Sequence, residues 1–151
     1  MKSAETTAFS PDELFQKILF WMDQSECEDL EFDVDGRRCT LIQRGNFVYC
    51  VVEMDYSLVE NCSMLESLLK IAAPSLLVFS GALCVDPSNR KFCLTKTLQK
   101  PFSVDDVMIT IEMLSNQNSV WNDIVDQVEG KEKNSVQPRT GWEAYRRAMY
   151  V

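Results

Sequence analysis

The sequence predicts an α+β fold with a mainly antiparallel five-stranded sheet and three helices, in the order α-β-β-β-α-β-β-α. Segments with helical apolar spacing alternate with strand-like segments that are joined by short turns, and this order is typical of an antiparallel sheet with helices packed on it. The chain has 151 residues, of which 46% are hydrophobic and 25% are charged. This length and composition indicate one globular domain.

The first predicted helix lies in SPDELFQKILFWMDQ. Ser10 is a favoured N-cap residue, Pro11 suits the first helical position, and Glu13 completes a capping box. The apolar residues of this segment recur at helical spacing and form a broad stripe: Leu14, Phe15, Ile18, Leu19, Phe20, Trp21 and Met22. Either the whole stripe is buried in the core, or part of it contacts another chain.

Three strands are predicted next. The segment LEFDV alternates apolar with acidic residues, and Asp35-Gly36 is a strong signal for a two-residue hairpin turn before the return strand around Cys39. A second turn at 44–46 leads to FVYCVVEM, which is apolar on both faces and is therefore predicted to be the central strand. Phe47 and Tyr49 on this strand are either core residues or contacts for a partner.

A second helix is predicted to begin at Ser57 or at Ser63 and to end or kink at Pro74. The segment SLLVF that follows is either a last helical turn or the start of a strand. The stretch SGALCVDPSNRKFCLTKTL then predicts a hairpin, with a turn centred on Pro87 between its two strands.

The third predicted helix is capped by Ser103, loses its apolar pattern at SNQNS and ends at Gly130. We therefore predict one domain over residues 1–130, followed by a polar linker and a short aromatic and basic tail over 131–151. This last segment holds five basic and two acidic residues, so residues 1–130 carry a net charge of −11 within the total of −8. The tail is either a docking peptide or a segment that folds back on its own acidic domain.

The composition argues against several functions. A net charge of −8 does not suit a nucleic-acid partner or an anionic membrane surface. The sequence contains no histidine and no glycine-rich phosphate loop, so the common catalytic arrangements, and hence an enzyme, are disfavoured. No signal peptide and no membrane span are predicted, and we expect a cytoplasmic protein.

The six cysteines predict neither a metal site nor a disulfide network. No two of them have C-x-x-C spacing, and most lie in apolar strand-like runs, where a thiol behaves as a small hydrophobic group. Cys39 follows two arginines, which is weak evidence for a reactive thiolate. No cofactor and no metal are therefore expected. The cysteines are Cys27, Cys39, Cys50, Cys62, Cys84 and Cys93.

The order of elements, together with the hairpin SGALCVDPSNRKFCLTKTL and the late tryptophan Trp121 of the long third helix, resembles the class I type III secretion chaperones, the Tir-chaperone and SycE-like family. The resemblance covers about residues 10–129. It implies a dimer in the bacterial cytoplasm that binds an N-terminal segment of a secreted protein in extended form, without ATP or metal. The longer aromatic tail departs from a plain effector chaperone and resembles gatekeeper components, which often pair with a different small protein.

We therefore predict a non-catalytic protein-binding component of a type III secretion system, in a gatekeeper or switch complex. The alternatives are a dedicated effector chaperone, an unrelated α+β scaffold subunit, and a thiol-dependent enzyme or redox sensor. The expected partners are a secreted or gatekeeper protein and a small chaperone in a homo- or heterodimer, with a peripheral association at the inner-membrane export apparatus left open. The candidate contact residues are Phe15, Leu19, Met22, Phe47, Tyr49, Trp142, Tyr145, Arg146 and Arg147.

Overall fold

The computed structural model describes residues 9–24, 28–57 and 62–133, except for the side chains of residues 57, 62–64 and 131–133. The elements follow the predicted order, so the α+β fold is confirmed. They are α1 (Pro11–Met22), β1 (Leu30–Val34), β2 (Arg37–Arg44), β3 (Phe47–Ser57), α2 (Cys62–Ser75), β4 (Ala82–Val85), β5 (Lys91–Gln99) and α3 (Val104–Lys133).

The five strands form one antiparallel sheet in the order β1-β2-β3-β5-β4. β3 pairs with β2 on one side and β5 on the other, which confirms its predicted central position. Asp35 and Gly36 join β1 to β2 with φ of +51° and +74°. Both turn residues therefore occupy the left-handed region. A two-residue turn of this kind matches the twist of the flanking strands, and Asp-Gly is favoured in it because both residues tolerate a positive φ.

One face of the sheet, the inner face, packs against the helices and forms a single core. Its central residues Val48, Cys50, Val52 and Leu94 are fully buried. From α3, Trp121 packs into the same cluster, and its side chain has no exposed surface. Successive residues of a strand point to opposite faces of the sheet, so the residues between these buried positions lie on the opposite face. That face is called the outer face.

The start of α1 follows the predicted chemistry. Ser10 accepts a hydrogen bond from the backbone N–H of Glu13, and the Glu13 carboxylate accepts one from the backbone N–H of Ser10, which confirms the capping box. Leu14, Ile18 and Trp21 are buried, and the indole N–H of Trp21 donates to the backbone oxygen of Glu28 at 2.8 Å. This bond links the last turn of α1 to the backbone just before β1.

The limits of α2 differ from the prediction. β3 extends to Ser57, and α2 is described from Cys62, one residue before the alternative start at Ser63. A helix start directly after Ser57 lies outside the described residues. Pro74 lies inside the last turn and α2 ends at Ser75. The segment after it is a tight turn rather than a strand, in which the N–H of Leu77 donates to the oxygen of Pro74 at 3.1 Å.

α3 also differs from the prediction. Gly130 does not end it, because the helix continues to Lys133. The polar run SNQNS is helical and faces the core, with Ser115, Gln117 and Asn118 all buried. The side chains of Gln117 and Asn118 reach backbone groups of neighbouring elements, so the burial of their N–H groups is compensated by hydrogen bonds. Oγ of Ser115 and Oδ1 of Asn118 have no partner among the described residues.

The side-chain amides of Gln117 and Asn118 bind backbone groups next to the ends or irregularities of strands, where the regular strand-to-strand hydrogen bonds stop. Gln117 accepts from the N–H of Gly81 at 3.0 Å and donates to the oxygen of Gly81 at 2.8 Å. Asn118 donates to the oxygen of Glu53 at 2.9 Å, where the register of β3 with β5 shifts. Gly81 is required there, because a Cβ atom would lie 2.4 Å from Cδ2 of Leu114.

We expect Gln117→Leu to lower the free energy of unfolding by about 2–4 kcal/mol, because it leaves a buried donor and a buried acceptor of Gly81 without a partner. Gln127→Leu on the exposed side of α3 is the matched control, with a change within about 0.5 kcal/mol. Urea unfolding of both variants gives the two values. Equal stability of the variants would contradict the role assigned to Gln117.

Candidate partner-binding surface

The outer face of the sheet carries an uncharged patch across its central strands. Register places Thr40 beside Val51 and Val51 beside Thr95. The next row places Ile42 beside Tyr49 and Tyr49 beside Thr97. With Phe47, which follows in the next row, these seven residues are called the outer-face patch: Thr40, Ile42, Phe47, Tyr49, Val51, Thr95 and Thr97.

Among the described residues, the apolar members of the outer-face patch do not belong to the core cluster or to the side chains that pack against it. Phe47 is 39% exposed and Tyr49 is 36% exposed. The interpretation of these two side chains as core residues is therefore wrong. Because a contiguous exposed apolar area is uncommon on a monomer, the patch is a candidate contact surface.

Charged pairs border the outer-face patch. The Arg38 guanidinium lies 3.2 Å from the Glu31 carboxylate, towards the β1 edge. The Lys91 ammonium lies 2.5 Å from the Glu53 carboxylate, towards the end of β3. An apolar centre with a charged rim is the usual anatomy of a protein–protein interface.

The sheet has a free edge at β4. In the part of the chain that the structure describes, β4 pairs with β5 alone. The N–H of Asp86 donates to the oxygen of Lys91 at 2.9 Å, so this N–H faces β5. In an antiparallel pair, the residues whose N–H groups face the neighbouring strand alternate along the chain. The N–H groups of Leu83 and Val85 therefore point away from β5. The segment ALCV carries no charge that would discourage pairing with another strand.

The predicted contact residues of α1 divide into two groups. Phe15 and Met22 are half-buried and pack against the core. Leu19 is 40% exposed, and its neighbour Phe20, which was not among the candidates, is 70% exposed. Of the α1 candidates, Leu19 is thus the accessible one, and Phe20 joins it on the exposed side of the helix.

Sequence reasoning missed a second exposed apolar group at the end of α2. Leu77 is 88% exposed, the highest value among the exposed large hydrophobic residues. The run SLLVF after Pro74 was the available clue, because an apolar run outside a helix or strand has no regular face to bury. The members of this group are Leu69, Leu76, Leu77 and Val78.

The remaining candidates, Trp142, Tyr145, Arg146 and Arg147, lie outside the described residues. The candidate contact residues that the structure places together on one face are therefore Phe47 and Tyr49. In the described ranges, no helix is long and apolar enough to cross a membrane. The same ranges contain no group of three or more histidine, cysteine, aspartate or glutamate residues that could hold a metal ion.

The chemistry of the inner-face thiols is that of core residues. Burial raises the pKa of Cys39 and of Cys50 to about 12, so both thiols are protonated near neutral pH. The charge of Arg37 lowers the pKa of Cys39, but this effect is smaller than the opposing effect of burial. Cys39 is therefore a buried structural residue and not a thiolate nucleophile.

The fold is shared with a solved structure. A chain of the HopA1–SchA chaperone–effector complex matches with a TM-score of 0.52 and 14% sequence identity, over 75% of this chain and 97% of that chain. At this identity the likeness shows the fold alone, which is a chaperone-like α+β fold. No family model matches the sequence, and no curated protein matches it.

Proposed function

We propose that the chain is a non-catalytic, chaperone-like protein-binding component of a bacterial type III secretion system, acting in a gatekeeper or switch complex that controls the order of substrate secretion. The proposal rests chiefly on an uncharged, exposed sheet face on a fold that also occurs in a chaperone–effector complex. The absence of histidine and the protonated thiols of Cys39 and Cys50 support a role without catalysis.

The partner binds as an extended segment. It adds a strand to the free edge of β4, where the N–H groups of Leu83 and Val85 are directed outwards. Main-chain hydrogen bonds provide affinity in this mode, and alternate side chains provide specificity. Further residues of the segment cross the outer-face patch, and an amphipathic helix of the partner contacts Leu19 and Phe20 on α1.

The gatekeeper assignment is the finer part of the proposal. The start LFQKILFWMDQ and the length resemble SepD of the attaching-and-effacing type III system. In this assignment the chain pairs with a second small chaperone, associates peripherally with the export apparatus at the inner membrane, and uses its tail, including Trp142 and Tyr145, as a docking peptide.

The second candidate function is a dedicated effector chaperone, which holds the N-terminal segment of one secreted protein in a non-globular form. The observation that favours it is the chaperone–effector complex in which the shared fold occurs. The two functions use the same outer-face patch and β4 edge. They differ in the partner: a gatekeeper protein with a second chaperone, or an effector.

A single backbone change tests the β4 edge. We expect Val85→Pro to reduce recovery of the secretion-system partner from the native host at least about tenfold, because it removes one outward N–H and blocks strand addition. The matched control is Val85→Ala, which shortens the same side chain and keeps the N–H. Equal recovery by the two variants, at equal folded fraction, would show that the partner does not pair with β4.

A further inference from the structure

The β4–β5 hairpin brings two thiols together on the outer face. Cys84 and Cys93 are register partners, and their Sγ atoms lie 3.1 Å apart. Cys84 is half-buried, whereas Cys93 is 4% exposed. We propose that Cys84 and Cys93 form a reversible dithiol–disulfide site that takes a small organic disulfide as its oxidant. This inference rests on the hairpin alone, so it stands or falls separately from the proposed partner binding.

The two thiols have different roles because they share one hydrogen bond. That bond lowers the pKa of the Cys84 thiol against the opposing effect of burial, and it raises the pKa of Cys93, as burial also does. Cys84 is also the more exposed of the two. Since the thiolate is the nucleophile, Cys84 attacks first and Cys93 resolves.

The reaction is thiol–disulfide exchange in two steps. The Cys84 thiolate attacks one sulfur of the external disulfide, forms a mixed disulfide and releases one external thiolate. The Cys93 thiol then loses its proton to solvent, and its sulfur attacks Sγ of Cys84 and releases the second external thiolate. The protein dithiol is oxidised by two electrons, the external disulfide is reduced to two thiols, and an excess of external thiol reverses both steps.

The environment indicates which oxidant fits. The carboxylates of Asp86 and Glu53 raise the pKa of Cys93 through their charge, and Glu53 is paired with Lys91 at 2.5 Å. Charges of both signs thus lie beside the two thiols, and a neutral disulfide reaches them without attraction or repulsion by these groups. The probe is 2-hydroxyethyl disulfide, which is small and uncharged.

Oxidation would change the mobility of the edge strand. β4 is four residues long, and a covalent bond from Cys84 to β5 resists its separation from the sheet. We therefore expect slower amide hydrogen exchange in the oxidised protein at Asp86, whose N–H is bonded to the oxygen of Lys91, and at Cys84, the alternate bonded position of β4. Reversible disulfides inside cells are commonly transient and redox-sensing. Oxidation of Cys84 and Cys93 would therefore hold β4 against β5 in response to the redox state.

Mass spectrometry of the full chain with Cys27→Ser and Cys62→Ser tests the site. After reaction with 2-hydroxyethyl disulfide, we expect a mass loss of two hydrogen atoms and a peptide that links Cys84 to Cys93. Cys39 and Cys50 serve as internal controls: they are fully buried and should stay reduced over the same time. An excess of dithiothreitol should restore the original mass.

Two variants separate the roles. With Cys93→Ala we expect the reaction to stop at the mixed disulfide on Cys84, at a rate about three- to tenfold lower, because the hydrogen bond that lowers the pKa of Cys84 is removed. With Cys84→Ser, Cys93 should stay reduced. The proposal is overturned if the protein with both thiols stops at the mixed disulfide, or if Cys84 reacts no faster than Cys39. Both of these outcomes are measured on the protein that keeps Cys84 and Cys93, so they do not depend on how well the variants fold.

Discussion

Trp121→Ala is expected to lower the free energy of unfolding by about 3–5 kcal/mol, a large part of the roughly 5–15 kcal/mol available to a domain of this size. Trp121 is the largest fully buried side chain of the described core, and it lies on α3 against the inner face of the sheet. Its removal leaves a cavity that the sheet and α3 cannot close without moving. The variant should unfold at a much lower urea concentration, with α3 and the sheet separating together.

The matched control for Trp121→Ala is Phe20→Ala, which removes an aromatic side chain that is 70% exposed and should change the stability by about 0.5 kcal/mol or less. Urea unfolding followed by circular dichroism compares the two variants directly. A third variant, Trp121→Phe, keeps much of the volume and removes an indole N–H that has no partner among the described residues. Its loss should be smaller than that of Trp121→Ala. If the Trp121 and Phe20 variants unfolded together, the assigned core would be wrong.

Tyr49→Glu is expected to weaken binding of the secretion-system partner by about 30-fold to 1000-fold, which corresponds to roughly 2–4 kcal/mol for a central interface residue. Tyr49 lies in the middle of the outer-face patch, between Ile42 and Thr97. A carboxylate at this position would be desolvated beneath the partner without an opposite charge beside it. Because Tyr49 is exposed in the chain itself, folding should be little affected.

Ile109→Glu is the matched control for Tyr49→Glu. It places the same charge on a side chain of α3 that is 54% exposed and lies on a helix, away from the outer face. Titration calorimetry with the purified partner gives both affinities, and urea unfolding confirms that both variants are folded. An affinity for Tyr49→Glu equal to that for Ile109→Glu would remove the outer-face patch from the binding site.

The features that the sequence predicted well depend on neighbouring residues. The capping box of Ser10 and Glu13 and the Asp35-Gly36 turn each follow from a few adjacent positions, so no tertiary information is needed. The long apolar run beginning at Phe47 similarly predicted a central strand. The local cap and turn chemistry and the central position of β3 were therefore accessible without the structure.

The features that were missed depend on distant partners. SNQNS interrupts the apolar pattern of α3, yet Gln117 and Asn118 are buried because they bind backbone groups 36 and 65 residues away in sequence. Gly130 is a common helix terminator, but α3 continues through it. Tertiary contacts such as those of Gln117 and Asn118 override local preference, and periodicity alone cannot reveal them.

The same limit applies to the candidate surface. The sequence predicted a broad stripe on α1 and apolar character on both faces of β3, but it could not show which side the helices cover. Phe15 and Met22 pack against the core, whereas Leu19, Phe47 and Tyr49 remain exposed. The exposed group at Leu77 went unrecognised because the segment after Pro74 had no clear period.

The most direct test of the account is mass spectrometry of the proteins that co-purify with the unmodified chain from its own host under secretion-inducing conditions, with Tyr49→Glu purified in parallel. We expect one secreted or gatekeeper protein of a type III secretion system, together with a second small chaperone, to be recovered with the unmodified chain and to be strongly reduced with Tyr49→Glu. Recovery of no secretion-system protein, or of the same proteins in equal amounts with both chains, would contradict the proposed role.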